Sequence, residues 1–346
     1  MQFSDKIYVA GHSGLLGSAL VRRLRVAGYS NLVLKTRTEL DLASADAVRE
    51  FFSQERPLYV FLAAAKVGGI LANDTRPADF IFENLRIETN MIHEARRSGV
   101  ERLLFLGSSC IYPRRAPQPL REESFMTGPL ESTNRAYAVA KIAGIEMCWT
   151  SNRQYGTGFL AAMPTNLYGP GDNYHPSESH LVPALIRKMH EAKITGSREV
   201  VIWGSGAPRR ELLHSDDAAD ACIFLLNLPP QPFRQLAGRN NAGRNNHDND
   251  AAPLVNVGSG YDLTVRELAA VVAEVVGVAP SLVFDASKPD GTPRKLLDSG
   301  RLAALGWKPR IDLREGLRQT YADFCHGISE LRVEASLPQT QTPCAS

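Results

Sequence analysis

The order of residue types along these 346 residues predicts an α/β protein built on a doubly wound parallel sheet, with a smaller α/β lobe toward the C-terminus. Three observations predict it. The apolar run from Lys6 to Ala10 passes straight into Gly11-His12-Ser13-Gly14-Leu15-Leu16-Gly17, after which Leu20, Leu24 and Val26 recur at helical spacing. Short apolar runs then alternate with longer amphipathic stretches through to Phe159, the order in which strands and crossover helices make a parallel sheet. Finally, Leu103 to Leu106 empties into Gly107-Ser108-Ser109-Cys110, at the carboxyl end of a strand, where open α/β sheets bind their ligands.

The first unit is strand, glycine turn and helix. Glycines permit the tight turn and let the backbone approach a pyrophosphate, whose charge the helix N-terminus stabilises. That context makes the glycine spacing a Rossmann-type dinucleotide signature rather than a plain turn. The second strand, Leu32 to Leu34, is where an NAD-binding protein places an acidic residue for the ribose hydroxyls, about 20 residues beyond the glycines. Here stand Lys35, Thr36 and Arg37. Two cations suit a ribose 2′-phosphate, so the expected cofactor is NADP (NADPH); the alternative is a solvated basic turn. Asp41 and Leu42 would then flank the adenine. A helix near Ser44 to Gln54, a strand from Leu58 to Leu62 and a helix from about Ala78 to Ser98 continue the alternation. Between them Ala63, Ala64 and Ala65 are small enough to let a cofactor lie against the backbone, or to allow close packing of strand on helix.

Tyr137 and Lys141 stand four residues apart in an alanine-rich stretch, about Ser132 to Tyr155, that reads as helix, so their side chains share one face. A tyrosine hydroxyl titrates near about 10, whereas a proton donor working at neutral pH should titrate closer to neutrality. An adjacent ammonium favours the phenolate and is expected to lower that pKa. With Ser108 at the end of its strand, the three residues can give a carbonyl its proton or take one from an alcohol. A tyrosine packed beneath a lysine stem is the plain alternative. Position favours chemistry, because both elements lie downstream of the glycine loop in the expected order.

Beyond it, Phe159 to Met163 leads into Pro164-Thr165-Asn166-Leu167-Tyr168-Gly169-Pro170, whose backbone would meet the nicotinamide end. A Pro- and Gly-rich loop then reaches His180 and a helix around Leu181 to Ala192. These features divide the chain into a dinucleotide-binding domain over 1–170, with some later segments returning to it, and a substrate lobe over 171–328. Within the lobe, 237–250 (AGRNNAGRNNHDND) reads as a polar surface insertion. A strand at Leu254, a helix from Thr264 to Val276, and helices near Leu297 to Leu305 and Leu313 to Phe324 follow, with a flexible tail over 329–346.

Composition excludes several classes. A net charge of +2 gives no case for nucleic acid or a membrane surface. The 5 cysteines are scattered and form no CxxC pair, which favours a reducing compartment without structural zinc; no metal site is expected. No signal-peptide pattern or membrane-length apolar run is present, so a cytoplasmic enzyme is expected.

Seven stretches together, GHSGLLG, AAAKVGGI, GSSCIYP, YAVAK, MPTNLYGP, WGSGAPRRELLH and FDASKPDGTPRK, resemble the GDP-L-fucose synthase family of extended short-chain dehydrogenases/reductases. The resemblance runs from about residue 6 to 325. It implies an NADPH-dependent 3,5-epimerase and 4-reductase acting on GDP-4-keto-6-deoxy-D-mannose, working as a homodimer. Tyr137 would protonate the C4 oxygen, Lys141 would hold the nicotinamide ribose and Ser108 would bond the substrate carbonyl. Cys110 and His180 occupy the positions that act as acid and base in the two epimerisations. Their chemistry makes independent sense, since protons alpha to a C4 ketone are acidic and a thiol and an imidazole bracket neutrality. Cofactor contacts are implied for Gly11, His12, Ser13, Gly14, Leu15, Leu16 and Gly17, for Arg37, Asp41 and Leu42, for Leu106, Gly107, Ser108 and Ser109, and for Lys141, Pro164, Thr165, Asn166, Leu167 and His180. Lys188, Trp203, Arg210 and Asp290 match the family's GDP-sugar contacts.

Two positions depart from many bacterial relatives, which carry arginine where this chain has Lys188 and Ser13. The first keeps charge without the bidentate fork; the second leaves Arg37, with Lys35, to meet a 2′-phosphate. Other readings can be weighed on residues. A 4,6-dehydratase would carry an Asp-Glu pair where Ser109 and Cys110 stand, and a 4-epimerase an acidic end to the second strand. A catalytically silent NADP-binding sensor would not need Ser108, Tyr137 and Lys141 together.

Overall fold

The computed structural model describes residues 1–176, 179–238, 252–288 and 290–336. All but the first two residues of the polar insertion expected over 237–250 lie outside the described residues. The first half runs Ile7–Ala10 (β1), Leu15–Val26 (α1), Leu32–Val33 (β2), Ala45–Glu55 (α2) and Tyr59–Leu62 (β3). It continues with Ile70–Thr75 (α3), Pro77–Arg97 (α4), Arg102–Leu106 (β4), Arg135–Tyr155 (α5) and Phe159–Pro164 (β5). Then come Asn166–Tyr168 (β6), Leu181–Thr195 (α6), Glu199–Trp203 (β7), Arg209–His214 (β8), Ser215–Asn227 (α7) and Pro230–Leu236 (α8). The chain closes with Leu254–Val257 (β9), Asp262–Thr264 (β10), Val265–Val276 (α9), Ser281–Asp285 (β11), Arg294–Lys295 (β12), Gly300–Ala304 (α10) and Leu313–Ser336 (α11).

The main sheet is parallel throughout, in the order β2-β1-β3-β4-β5-β9. Its inner strands are covered on both faces, and IYVA of β1 and YVFL of β3 are buried along their whole length, as sandwiched parallel strands require. One face carries α1 and α7, where Ala19, Leu20 and Leu24 meet Ala218, Cys222 and Leu225; the other carries α2, α4 and α5. Each fully buried leucine in these layers contributes about 1.5–3 kcal/mol over an exposed one. All the strands end at one edge, so the loops after β1, β3, β4 and β5 bring Gly11, Ala63, Ser108 and Thr165 to the same rim.

The lobe is assembled around β8, which pairs with β6 and β12 in parallel and with β10 antiparallel, while β7 and β11 form a separate parallel pair. A second core of α6, α9 and α11 residues, with Met189, Leu268 and Leu317 at its centre, supports these strands. The chain does not stay in the lobe after residue 170, since α7 and β9 belong to the first layer. Three boundaries differ from the sequence pattern. α5 begins at Arg135 after a 3-10 turn over Ser132–Asn134. The stretch from Leu296 to Asp298 is extended because its backbone donors are taken by Gln118, Glu211 and the Leu120 carbonyl, which leaves α10 only Gly300–Ala304. The last helix runs to Ser336, past residue 329 where the tail was expected; Pro338 is the first proline beyond it.

Candidate active site

Ser108 leaves β4 in an extended conformation and caps a 3-10 turn over Ser109–Ile111, its Oγ accepting the Cys110 N–H at 3.4 Å. The turn folds the Cys110 thiol back within hydrogen-bonding reach of the same hydroxyl. Facing it, α5 presents Tyr137 in its first turn and Lys141 one turn later, with Lys141 Nζ 5.7 Å from the Tyr137 ring centroid and 4.6 Å from that of Phe105. Tyr137 in turn meets Phe80 of α4 edge-on. Ser108, Cys110, Tyr137 and Lys141 therefore share one floor at the sheet rim.

Their titration is set by depth. Burial first, then the Cys110 sulfur and the Glu88 carboxylate, hold the Tyr137 phenol well above its ordinary value, so it keeps its proton. This corrects the expectation that Lys141 lowers it. Burial outweighs that pull, and beneath the phenol Lys141 Nζ lies 2.9 Å from Glu88 Oε1, with the two side chains 2% and 1% exposed and the Glu88 carboxyl itself raised by burial against the pull of Lys141.

Lys295, which no motif argument singled out, completes the site. β12 sets it in register beside Arg210 of β8, and it lines a small cavity with Cys110, Glu131, Thr292 and Arg294. Burial pushes the Cys110 thiol up while the Lys295 cation and Ser108 pull against it. His180, the N-cap of α6, is pushed the other way, its imidazole lowered by its surroundings and then by the same Lys295. His180 retains surface in contact with solvent although protein crowds it, as a group on the wall of an open cleft does. The thiol is thus a proton donor and the imidazole a free base, one ammonium acting on both.

The glycine loop fits a dinucleotide. Gly11 has φ +79°, and a Cβ there would lie 2.7 Å from the Ala64 nitrogen; one at Gly17 would lie 1.9 Å from the Gly11 carbonyl oxygen. The loop is drawn so tightly across the end of β3 that only glycine serves at either place. His12 Nδ1 is buried there without a hydrogen-bond partner among the described residues. At the end of β2, Glu39 is the nearby acid that sequence reasoning passed over, but it accepts the Thr36 N–H and Oγ1 at 2.8 and 2.7 Å. Arg37 stands 83% exposed, 4.0 Å from Glu83. Asp41 is bonded to the Ala43 N–H, and the Leu42 carbonyl accepts from Asn90. Leu106 and Gly107 are buried at the end of β4, and Thr165 and Asn166 both donate side-chain hydrogens to the Glu211 carbonyl, so this wall is tied to β8.

Across the cleft, Trp203 is 55% exposed at the end of β7 and lies between two ammonium groups, Lys188 Nζ at 5.7 Å and Lys288 Nζ at 5.5 Å from its centroid. Lys188 Nζ also donates to the Val201 carbonyl at 2.8 Å. Arg210 does not pair with Glu211, which points to the other side of β8 and accepts the Gly260 and Leu297 N–H groups. It donates instead to the Arg209 and Asp290 carbonyls, while the Asp290 carboxylate fixes Ser205 through its N–H and hydroxyl. A cationic and aromatic surface results, suited to phosphate and a flat base.

Residues 7–234 match the family described as the NAD dependent epimerase/dehydratase family. The chain is 56% identical over 318 residues to GDP-L-fucose synthase 1 of Arabidopsis thaliana, covering 92% of each. It is 51% identical over 328 residues to the GDP-L-fucose synthase of Escherichia coli (strain K12), covering 95% of this chain and 99% of that one. The chain belongs to the epimerase/dehydratase family, on its GDP-L-fucose synthase branch. Among solved structures it is similar to "MlghC, GDP-mannoheptose C4 reductase from Campylobacter jejuni with NADP bound", at 39% identity and a TM-score of 0.81, over 94% of this chain and 99% of that one. The epimerase/dehydratase match ends at residue 234, so Lys288, Asp290 and Lys295 lie in the part of the lobe aligned only with whole relatives.

Proposed function

We propose that this chain converts GDP-4-keto-6-deoxy-D-mannose to GDP-L-fucose, inverting C3 and C5 and then reducing C4 with NADPH. One observation carries the reading beyond a plain reductase: a thiol and an imidazole, Cys110 and His180, both answer to Lys295 beside the Ser108, Tyr137 and Lys141 floor. Reduction of a ketone needs only the floor. Inversion next to that ketone needs one group to remove a proton and another to return one to the opposite face.

The sequence of events follows from these residues. Ser108 donates a hydrogen bond to the C4 oxygen, which stabilises the enolate formed as a proton leaves C3 or C5. In the first inversion the His180 imidazole accepts that proton and the Cys110 thiol protonates the carbon from the far side; in the second the thiolate accepts and the imidazolium returns a proton, with no net change in oxidation state. NADPH, when bound, supplies the hydride that C4 receives. Tyr137 gives its proton to the C4 oxygen as the carbonyl electrons move there, and regains one from solvent. Gly11 to Gly17 would hold the pyrophosphate, Arg37 with Lys35 the 2′-phosphate and Lys141 the nicotinamide ribose. Lys188, Trp203, Arg210 and Asp290 would receive the GDP moiety.

A GDP-sugar C4 reductase without epimerase activity is the second reading, favoured by the likeness to the heptose reductase structure. Incubating the protein with NADPH and the 4-keto sugar in deuterated water separates the two. NADPH oxidation with deuterium at C3 and C5 supports the epimerase-reductase; oxidation without deuterium supports the reductase alone; tight NADPH binding without oxidation would leave only a sensor. A homodimer through α4 and α5, where Phe82 and Val139 are exposed, belongs to the same reading, as does a reducing, cytoplasmic setting for the thiols of Cys110, Cys148 and Cys222.

A further inference from the structure

We propose that Glu88 is a positioning residue for the reduction step, holding the Lys141 ammonium from below in the place where it meets the dinucleotide. The inference rests on the reading of Ser108, Tyr137 and Lys141 as the reducing site. Glu88 lies in the middle of α4, among Phe80, Asn84, Met91 and Ile92, on a face where packing alone would place an apolar side chain. Its carboxylate is 2.9 Å from Lys141 Nζ, and neither oxygen has another hydrogen-bond donor among the described residues. Burying such a pair brings little stability compared with apolar residues of the same volume, so its presence at this depth calls for another reason.

The packing around the pair is specific to it. Gly144, one turn beyond Lys141 on α5, leaves room for both Glu88 and Phe105: a Cβ there would lie 3.1 Å from Glu88 Oε2 and 2.4 Å from Phe105 Cζ. Phe105 closes the other side of the ammonium at 4.6 Å. Lys141 Nζ is thus held against both the Glu88 carboxyl and the Phe105 ring. An unanchored lysine stem would have to be ordered anew each time the dinucleotide bound.

Burial, then Cys110 and then Glu88 raise the Tyr137 phenol, while burial raises the Glu88 carboxyl and Lys141 pulls it down, so the anchor and the phenol share one buried site.

The test compares the parent protein with Glu88→Gln and Glu88→Ala by NADPH titration in the absence of substrate and by kcat and KM for NADPH oxidation with the 4-keto sugar. Glu88→Gln should bind NADPH within about threefold of the parent and keep most of its kcat, because the amide oxygen can still meet Lys141 Nζ. Glu88→Ala should bind NADPH about tenfold more weakly and lose kcat as well, since nothing holds the ammonium. A glutamine variant as impaired as the alanine one, or an alanine variant with parental NADPH affinity, would overturn the proposal. If the parent itself binds NADPH but oxidises none, the functional reading fails instead, and the NADPH titration still tests the anchoring.

Discussion

On the sheet side of the cleft the reacting groups lie deep: Cys110 and Lys141 are buried, and Tyr137 is half-buried with its ring edge-on to Phe80 of α4. On the lobe side Trp203, Lys288 and Asp290 remain exposed, mounted on two-stranded and short-stranded sheets. The difference follows from what each wall has to do. Moving a proton at neutral pH requires groups shifted from their solution values, and burial does that to Cys110, Tyr137 and His180 at once. Gripping a diphosphate requires permanent charges with donors free to turn toward it, and water does not harm those before the ligand arrives.

The contrast can be broken wall by wall. Tyr137→Phe keeps the floor packed and removes its proton, so NADPH oxidation should fall by about 10²–10⁴-fold with NADPH affinity unchanged, as steady-state rates and a binding titration would register. Acidification should act on the imidazole. Its pKa lies below the ordinary histidine value, so exchange at C3 and C5 should persist in mildly acidic solution and fall about tenfold per pH unit only once His180 is protonated. A fall centred above the usual imidazole range would mean another group is the base.

Lobe variants should behave differently, raising KM while leaving kcat nearly intact. For Arg210→Ala a rise of about tenfold or more in the KM for the GDP-sugar is expected, from loss of a charge-assisted contact, and for Trp203→Ala a smaller rise of about three- to tenfold. Equal losses in kcat would place either residue with the reacting groups instead. The mildest effect belongs to Arg37→Ala: its guanidinium is solvated, so the preference for NADPH over NADH should fall by only a few-fold, and less at high salt.

Much of this layout was readable in advance because it is local. A strand followed by the glycine turn and an apolar helix, or a Tyr and a Lys one helical turn apart, announces itself within a few residues. Glu88 does not: in ENLRIETN it is one polar residue among many, and only the packing of α4 on α5 buries it. Lys295 ends the quoted FDASKPDGTPRK stretch, yet its place beside Cys110 depends on β12 pairing with β8, some 80 residues earlier in the chain. The direction of the Tyr137 shift was misread because burial, which only the packed fold creates, outweighs a neighbouring ammonium. Long-range contacts decided each of these.

Two separate chemistries share one floor, and solvent deuterium incorporation at C3 and C5 of the recovered sugar tests that separation most directly. Tyr137→Phe should still exchange both positions while failing to oxidise NADPH, and Cys110→Ser or His180→Gln should exchange about 10²-fold more slowly yet retain some reduction. Parental exchange in both the cysteine and the histidine variants, or exchange abolished by Tyr137→Phe alone, would contradict it.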